Sequence, residues 1–287
     1  MRLCRRRYHF PDNPHLQDPS TANARPPLLF VHGSYHAAWC WAEKWMPYFS
    51  SHGFNTYAVS LRAQGNSDCI SNEKDTPVVV AGTLDSHCQD LGDLIAEFPK
   101  APVVVGHSFG GLILQKYLSC MKDESEGSSG LPQVAGTGFV CCVPPSGNKD
   151  MVFRFIKKDL WASIKITYGF VFKSFQKSLD AARELFFSDD LPQEDLERKR
   201  RRKGYKAVPA MVPLPAPPAH APPAFVLGGE DDKVVDIEAV QELASVYKVK
   251  PIILPKMAHD CMLDTRWEQA AIELERWLLE TVLPATK

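Results

Sequence analysis

Short, continuous apolar runs rich in β-branched and aromatic residues recur along the chain, at Leu28 to His32, Asn55 to Leu61, Pro102 to His107, Thr137 to Val143, Ala224 to Leu227 and Pro251 to Leu254. Runs that are apolar throughout, rather than alternating with polar residues, read as strands shielded on both faces. Helical periods lie between them. Leu84, Cys88, Leu91, Leu94, Ile95 and Phe98 fall on one stripe behind Thr83, a good N-cap, with Asp85 in the first turn, where the helix dipole favours a negative charge. Leu263, Trp267, Ala270, Leu274, Trp277 and Leu278 repeat the pattern and predict a closing amphipathic helix. Strands alternating with helices predict the α/β class: a mostly parallel, doubly wound sheet, because parallel neighbours need a crossover that lays a helix on one face.

Two regions interrupt this rhythm. Ser125 to Gly130 is a Gly/Ser-rich loop, and between Pro144 and Pro223 no convincing strand occurs. That block is too long for a plain crossover and reads as a helical insertion, a cap over the sheet's edge. It ends in six consecutive cations, Arg198 to Lys203, and then seven prolines between positions 209 and 223, which cannot sustain a helix. The charge run reads as a solvated helix end entering a linker, with a nuclear-targeting or nucleic-acid patch as the alternative. The expected organisation is a disordered leader over 1–26, a core over 27–143 and 224–287, and a helical cap with a basic, Pro-rich linker over 144–223.

Charge and composition narrow the partners. Thirty-three Lys and Arg against 34 Asp and Glu leave a net charge of −1, so no overall basic field gathers nucleic acid. A small, neutral or hydrophobic partner is expected. No apolar run reaches the ~20 residues of a membrane-spanning helix; the greasiest stretch, Trp161 to Phe175, is broken by Lys165 and Lys173. The eight cysteines form no C-x-x-C pair and are scattered through a chain large enough to build its own core, which favours a reducing compartment. The Arg-rich first residues lack the apolar centre of a secretory signal. The expected location is soluble and intracellular: cytoplasmic, or a plastid if the leader is a transit segment.

The most informative stretch is Pro102 to Gly111, a strand that runs into Gly106-His107-Ser108-Phe109-Gly110 and then a helix. G-x-S-x-G between strand and helix is the context of a nucleophile elbow: a sharp turn exposes the serine hydroxyl, and the glycines let strand and helix approach. The turn also aims the amide of Phe109 toward a developing oxyanion. A serine hydroxyl needs a base and an acid to orient that base, in the chain order Ser, Asp or Glu, His. Phe225 to Val235 is an apolar strand ending in an acidic loop, and Ile252 to Asp260 is a strand ending in His259. Both lie beyond strand carboxyl ends, where parallel sheets carry functional residues. His259 is the candidate base and Asp232 the leading acid, with Glu230, Asp231 and Asp236 as alternatives. Gly33 after the first core strand would let the amide of Ser34 act as second oxyanion donor.

The other histidines read differently. His9, His15 and His220 fall in leader or linker, His36, His52 and His87 in or beside surface helices, His32 shapes a loop, and His107 faces away from Ser108 as a packing residue. No third glycine completes a dinucleotide loop at Gly136 to Gly138, and no Walker lysine or H-E-x-x-H helix occurs, so neither cofactor nor metal is expected.

With these residues in place the chain resembles the α/β-hydrolase superfamily over roughly residues 27–283. The matching stretches are Val31 to Ser34, Leu61 to Asp68, Gly106 to Gly110, Gly229 to Asp232 and Met257 to Asp260. The stretch Val31 to Trp41 is similar to the opening of plant methylesterases and hydroxynitrile lyases, whereas Gly65 to Asp68 and Met257 to Asp260 look more like the lysophospholipase and general esterase branch, plant-type members included. The resemblance implies Ser108 as nucleophile, His259 as base, Asp232 as acid and the Ser34 and Phe109 amides as oxyanion hole. Serine at the elbow, where aspartate would stand, disfavours the haloalkane dehalogenase and epoxide hydrolase branches. The tract Arg198 to Pro223 departs from the pattern, standing where the last cap helices are usual.

The expectation is a cofactor-independent serine hydrolase that cleaves a small hydrophobic carboxylic ester through an acyl-enzyme. Tyr168, Phe170, Phe172 and Phe175 either line an acyl pocket or form the cap's own core. Two rivals keep the same pocket: a lyase of the hydroxynitrile type, and a small-molecule receptor or scaffold without turnover.

Overall fold

Among the described residues seven strands form one sheet in the order β1-β3-β2-β4-β5-β6-β7, parallel except for the first. They are β1 (Arg5–Tyr8), β2 (Leu28–Val31), β3 (Thr56–Val59), β4 (Val103–His107), β5 (Gly136–Val140), β6 (Ala224–Gly229) and β7 (Ile252–Leu254). The computed structural model describes residues 5–8, 25–67, 82–121, 130–158, 160–161, 175, 178–200 and 214–285. Every strand predicted from the apolar runs is present: β2, β3, β4 and β7 are slightly trimmed, β5 starts one residue earlier and ends sooner, and β6 runs on through Gly229. The jump from β3-β2 outward to β4 and onward leaves the carboxyl ends of β2, β4, β6 and β7 on one rim, where ligands bind in open sheets of this kind.

Alternation along each strand divides the core in two. Leu28 and Phe30 of β2 face a layer made by the short helices α1 (Trp39–Ala42) and α2 (Trp45–Ser51) and the closing helix α9 (Trp267–Trp277). Trp41 stacks on Phe30 at 4.9 Å between ring centroids, and Trp45 meets it edge-on at 6.1 Å. Leu29 and Val31 face the other layer, built from α3 (Leu84–Ala96), α4 (Phe109–Ser119) and α8 (Ile237–Val246). Helix α3 starts where its sequence predicts: Thr83 Oγ1 accepts from the Ser86 amide and Ser86 Oγ from the Thr83 amide, a reciprocal cap. The closing helix begins at Trp267, later than the stripe from Leu263 suggests, because Leu263 is held in a turn in which its N–H donates to the Asp260 carbonyl. It continues through a π-helical turn, Leu278–Val282, to Leu283–Ala285.

Between β5 and β6 the described residues form three helices, α5 (Lys149–Lys158), α6 (Leu179–Phe186) and α7 (Gln193–Arg200). Arg154 of α5 makes two 2.7 Å bonds to the carboxylate of Asp236, the N-cap of α8. Leu185, Phe186, Leu191 and Leu196 join the same apolar cluster as Phe30 and Trp41. Leu214 to Pro223 carries neither helix nor strand, as its prolines require.

One expectation needs correction. Arg5–Tyr8, in the stretch read as a disordered leader, pairs antiparallel with β3, Arg5 opposite Val59 and Tyr8 opposite Thr56. Its three arginines hid a strand that has no apolar run, and a charged sequence is what the edge of a sheet tolerates. The loop from Ser125 to Ser129, the cap residues Tyr168, Phe170 and Phe172, the cations Arg201 to Lys203, and His9 and His15 lie outside the described residues.

Candidate active site

Ser108 sits between the last residue of β4 and the first of α4 with φ 51° and ψ −118°, a strained conformation for a residue with a side chain. Such a backbone costs of order 1–3 kcal/mol and persists only where the surroundings enforce it. Here the enforcement is close packing. A Cβ on Gly106 would lie 2.7 Å from the backbone of Gly110, and one on Gly110 would collide with the Val31 carbonyl. The Ser108 amide is tied to the Val140 carbonyl at 3.1 Å, and its own carbonyl accepts from Gly111 at 3.1 Å.

His259 and Asp232 come from the loops after β7 and β6, and both are buried. His259 Nδ1 donates to Asp232 Oδ2 at 2.8 Å. The other carboxylate oxygen accepts from the amides of Val234 at 2.7 Å and Val235 at 2.9 Å, so the carboxylate cannot rotate without losing two bonds. With its proton on Nδ1, the ring presents a lone pair at Nε2. Of the alternative acids, Glu230 and Asp231 are exposed, and Asp236 is spent on Arg154 and on capping α8. Among the described residues no hydrogen bond joins Ser108 to His259; in resting sites this contact is commonly long and tightens on the substrate. Burial depresses the basicity of His259, but the charge and hydrogen bond of Asp232, helped by Asp260, more than offset it, and the pKa lies above 6.5.

The loop after β2 closes on the elbow. A Cβ on Gly33 would stand 2.9 Å from that of Ser108 and 3.0 Å from His107 Nδ1, so only glycine fits there. His32 sets the peptide that follows: its Nε2 accepts from the Leu61 amide at 2.9 Å, so the proton is on Nδ1, which donates to the Gly33 carbonyl at 2.7 Å. In a trans peptide this carbonyl and the amide of Ser34 point opposite ways, so His32 fixes the direction of the candidate donor. Its pKa is lowered to about 3, chiefly by burial, which keeps it neutral.

A family model described as alpha/beta hydrolase family matches residues 28–273. The chain is an α/β hydrolase. It is similar to Methylesterase 1 of Arabidopsis thaliana, 39% identical over 89 residues, 30% of this chain and 31% of that protein. It is also similar to a probable esterase of Oryza sativa subsp. indica, 28% identical over 146 residues, 48% of this chain and 49% of that protein. These alignments therefore span between about a third and a half of the relatives' own length. The fold of a putative non-heme bromoperoxidase from Mycobacterium tuberculosis matches with a TM-score of 0.68 at 16% identity, covering 100% of this chain and 97% of that one. A thermophilic esterase from Thermogutta terrifontis matches with a TM-score of 0.60 at 17% identity, covering 98% and 94%.

Around its candidate site the α/β hydrolase carries three histidines whose surroundings sequence reasoning did not anticipate. His36 lies beside α1 and His87 within α3, as expected, but both side chains are buried. His36 Nε2 lies 2.9 Å from Oδ2 of Asp260, and its Nδ1 lies 2.9 Å from the Ser34 carbonyl. His107 does more than pack: its Nε2 donates to the His259 carbonyl at 2.9 Å, and the two rings are 4.8 Å apart. The spacing of apolar residues carries no trace of these long-range pairs. Among the described residues there are two sets whose possible ligand atoms all lie within 4.8 Å of one another, His107 with His259 and Asp260, and Cys141 with Asp232 and His259; both share His259, whose Nδ1 is already bonded to Asp232. Among the described residues no helix is long and apolar enough to cross a membrane.

Proposed function

We propose that this α/β hydrolase is a cofactor-independent serine hydrolase of carboxylic esters, working through an acyl-enzyme. The observation that carries the reading is the Asp232–His259 bond, which holds the imidazole in the tautomer a serine base needs, on the same rim as a strained Ser108. Its esterase relatives support an ester as substrate. His259 Nε2 takes the Ser108 proton as the oxygen attacks the carbonyl carbon, and Asp232 stabilises the imidazolium. The amides of Ser34 and Phe109 hold the oxyanion. Collapse releases the alcohol with the proton from His259; a water, deprotonated by His259, then attacks the acyl-serine, and its collapse releases the acid as His259 returns the proton to Ser108 Oγ. Tyr35, Phe175 and Phe186 form an aromatic series with rings 4.9 and 5.2 Å apart, and Phe186 stands 6.2 Å from the His259 ring, which suits an apolar ester.

A fluorophosphonate probe is expected to label the protein once, at Ser108, and short-chain aryl esters to be hydrolysed. Ser108→Ala should abolish both. Labelling that survives in that variant places the nucleophile elsewhere; folded wild-type protein that neither reacts nor hydrolyses any ester refutes the enzymatic reading.

A further inference from the structure

We propose that His36 and Asp260 are positioning residues, a buried charged clamp that ties the oxyanion loop at Ser34 to the loop that carries His259. The inference rests on the serine-hydrolase reading, and it starts from which atoms face His36. Nδ1 meets the Ser34 carbonyl and Nε2 meets the Asp260 carboxylate, both at 2.9 Å. A carbonyl oxygen and an ionised carboxylate only accept, so both ring nitrogens must donate, and a ring with two N–H groups is an imidazolium.

The neighbouring histidines show the contrast. His32 faces one donor and one acceptor and is a fixed neutral tautomer. His107 gives its Nε2 proton to the His259 carbonyl and has no partner at Nδ1, so it too is neutral. Three buried imidazoles within one site therefore have three different sets of partners, and only that of His36 requires a charge.

The clamp joins residues 224 positions apart in sequence. Asp260 immediately follows the base, and its amide is held by the Phe186 carbonyl at the end of α6. Its Oδ2 binds His36, while Oδ1 has no hydrogen-bond partner and faces His107 Nε2 at 3.8 Å. A carboxylate buried this completely is stable only beside a charge, and His36 supplies it. On its other side His36 fixes the carbonyl of Ser34, while His32 fixes the carbonyl of Gly33. Two successive carbonyls are thereby pinned, and the Ser34 amide lies between them. His32 sets the direction of that amide; His36 sets its position relative to His259. The titratable groups around the clamp are His32 on its own loop, Cys40 of α1, His107 of β4, and His259 with Asp260 beyond β7.

The test compares wild type with His36→Gln and Asp260→Asn, each checked for folding by thermal melt. An oxyanion donor binds the transition state far better than the ground state, so displacing it lowers kcat and leaves KM nearly unchanged. We expect kcat to fall about 10- to 100-fold with KM within about twofold, and the rate of fluorophosphonate labelling at Ser108 to fall in parallel. Wild type should also lose kcat at alkaline pH as His36 gives up its second proton, a limb absent from both variants. Variants that keep kcat, or that change KM alone, overturn the clamp while leaving the esterase reading intact. Wild type that shows neither labelling nor turnover removes the esterase reading and the clamp with it. Should both variants unfold, nitrogen NMR of the assigned His36 ring in wild type decides: two protonated nitrogens at neutral pH support the clamp, and a neutral ring overturns it.

Discussion

Replacing Asp232 with asparagine tests the acid–base pair with almost no change in shape, and the structure dictates which way the amide must face. Oδ1 of Asp232 accepts from two backbone amides, Val234 and Val235. An amide nitrogen placed there would confront two donors, so the oxygen of the introduced side chain must keep that position and its nitrogen must take the place of Oδ2, 2.8 Å from His259 Nδ1. The nitrogen donates, so His259 must accept at Nδ1 and carry its proton on Nε2. In that tautomer the ring cannot receive the Ser108 proton. The variant also loses the carboxylate that stabilises the imidazolium. Together these cost about 10³- to 10⁴-fold in kcat, or about 4–5.5 kcal/mol in the barrier. The assay is aryl-ester hydrolysis under saturating substrate, with active Ser108 counted by phosphonate titration and folding checked by thermal melt. A folded Asp232→Asn variant within tenfold of wild type would refute the tautomer argument and remove Asp232 from the mechanism.

Three further outcomes follow from the same geometry. Because His259 must be neutral to accept a proton and its pKa lies above 6.5, kcat/KM should rise with pH through a midpoint above that value; a midpoint below it would mean that burial outweighs Asp232. His32 and His107, both lowered to about 3 mainly by burial, are neutral in the fold but protonate near 6.5 when it opens. Their stabilisation is complete above about pH 6.5 and is lost as pH falls toward 3, so urea melts at pH 7 and pH 5 should show a lower midpoint at the acidic pH, more so than in a His107→Gln variant. Buried Asp264 accepts from the amides of Ser188, Ala258 and Thr265 and from Ser188 Oγ, joining the segment after α6 to the His259 loop. Asp264→Asn turns one of these oxygens into a donor facing donors and should cost about 3 kcal/mol, read from denaturant midpoints.

Much of the architecture is written in local sequence. A parallel strand buried on both faces needs a continuous apolar run, and a helix between two such strands needs one apolar stripe, so β2 to β7 and α3, α4 and α9 can be placed from residue order alone. The Gly106 to Gly110 turn is equally legible, because its strain and its glycines are properties of five consecutive residues. What order alone could not reveal depends on partners distant in the chain. Asp232 is set apart from Glu230 and Asp236 by its burial and by the groups that folding brings to each carboxylate. His36, His107 and Asp260 carry no local mark of their role, since a histidine's protonation is set by the donors and acceptors that folding brings to its two nitrogens. The edge strand Arg5–Tyr8 was hidden for the same reason: its place follows from the free backbone edge of β3, not from any apolar pattern in its own residues. Residue order determined the layers and the turn at Ser108 and pointed to His259; tertiary contact alone decided which carboxylate meets that imidazole and which charged groups stand beside it.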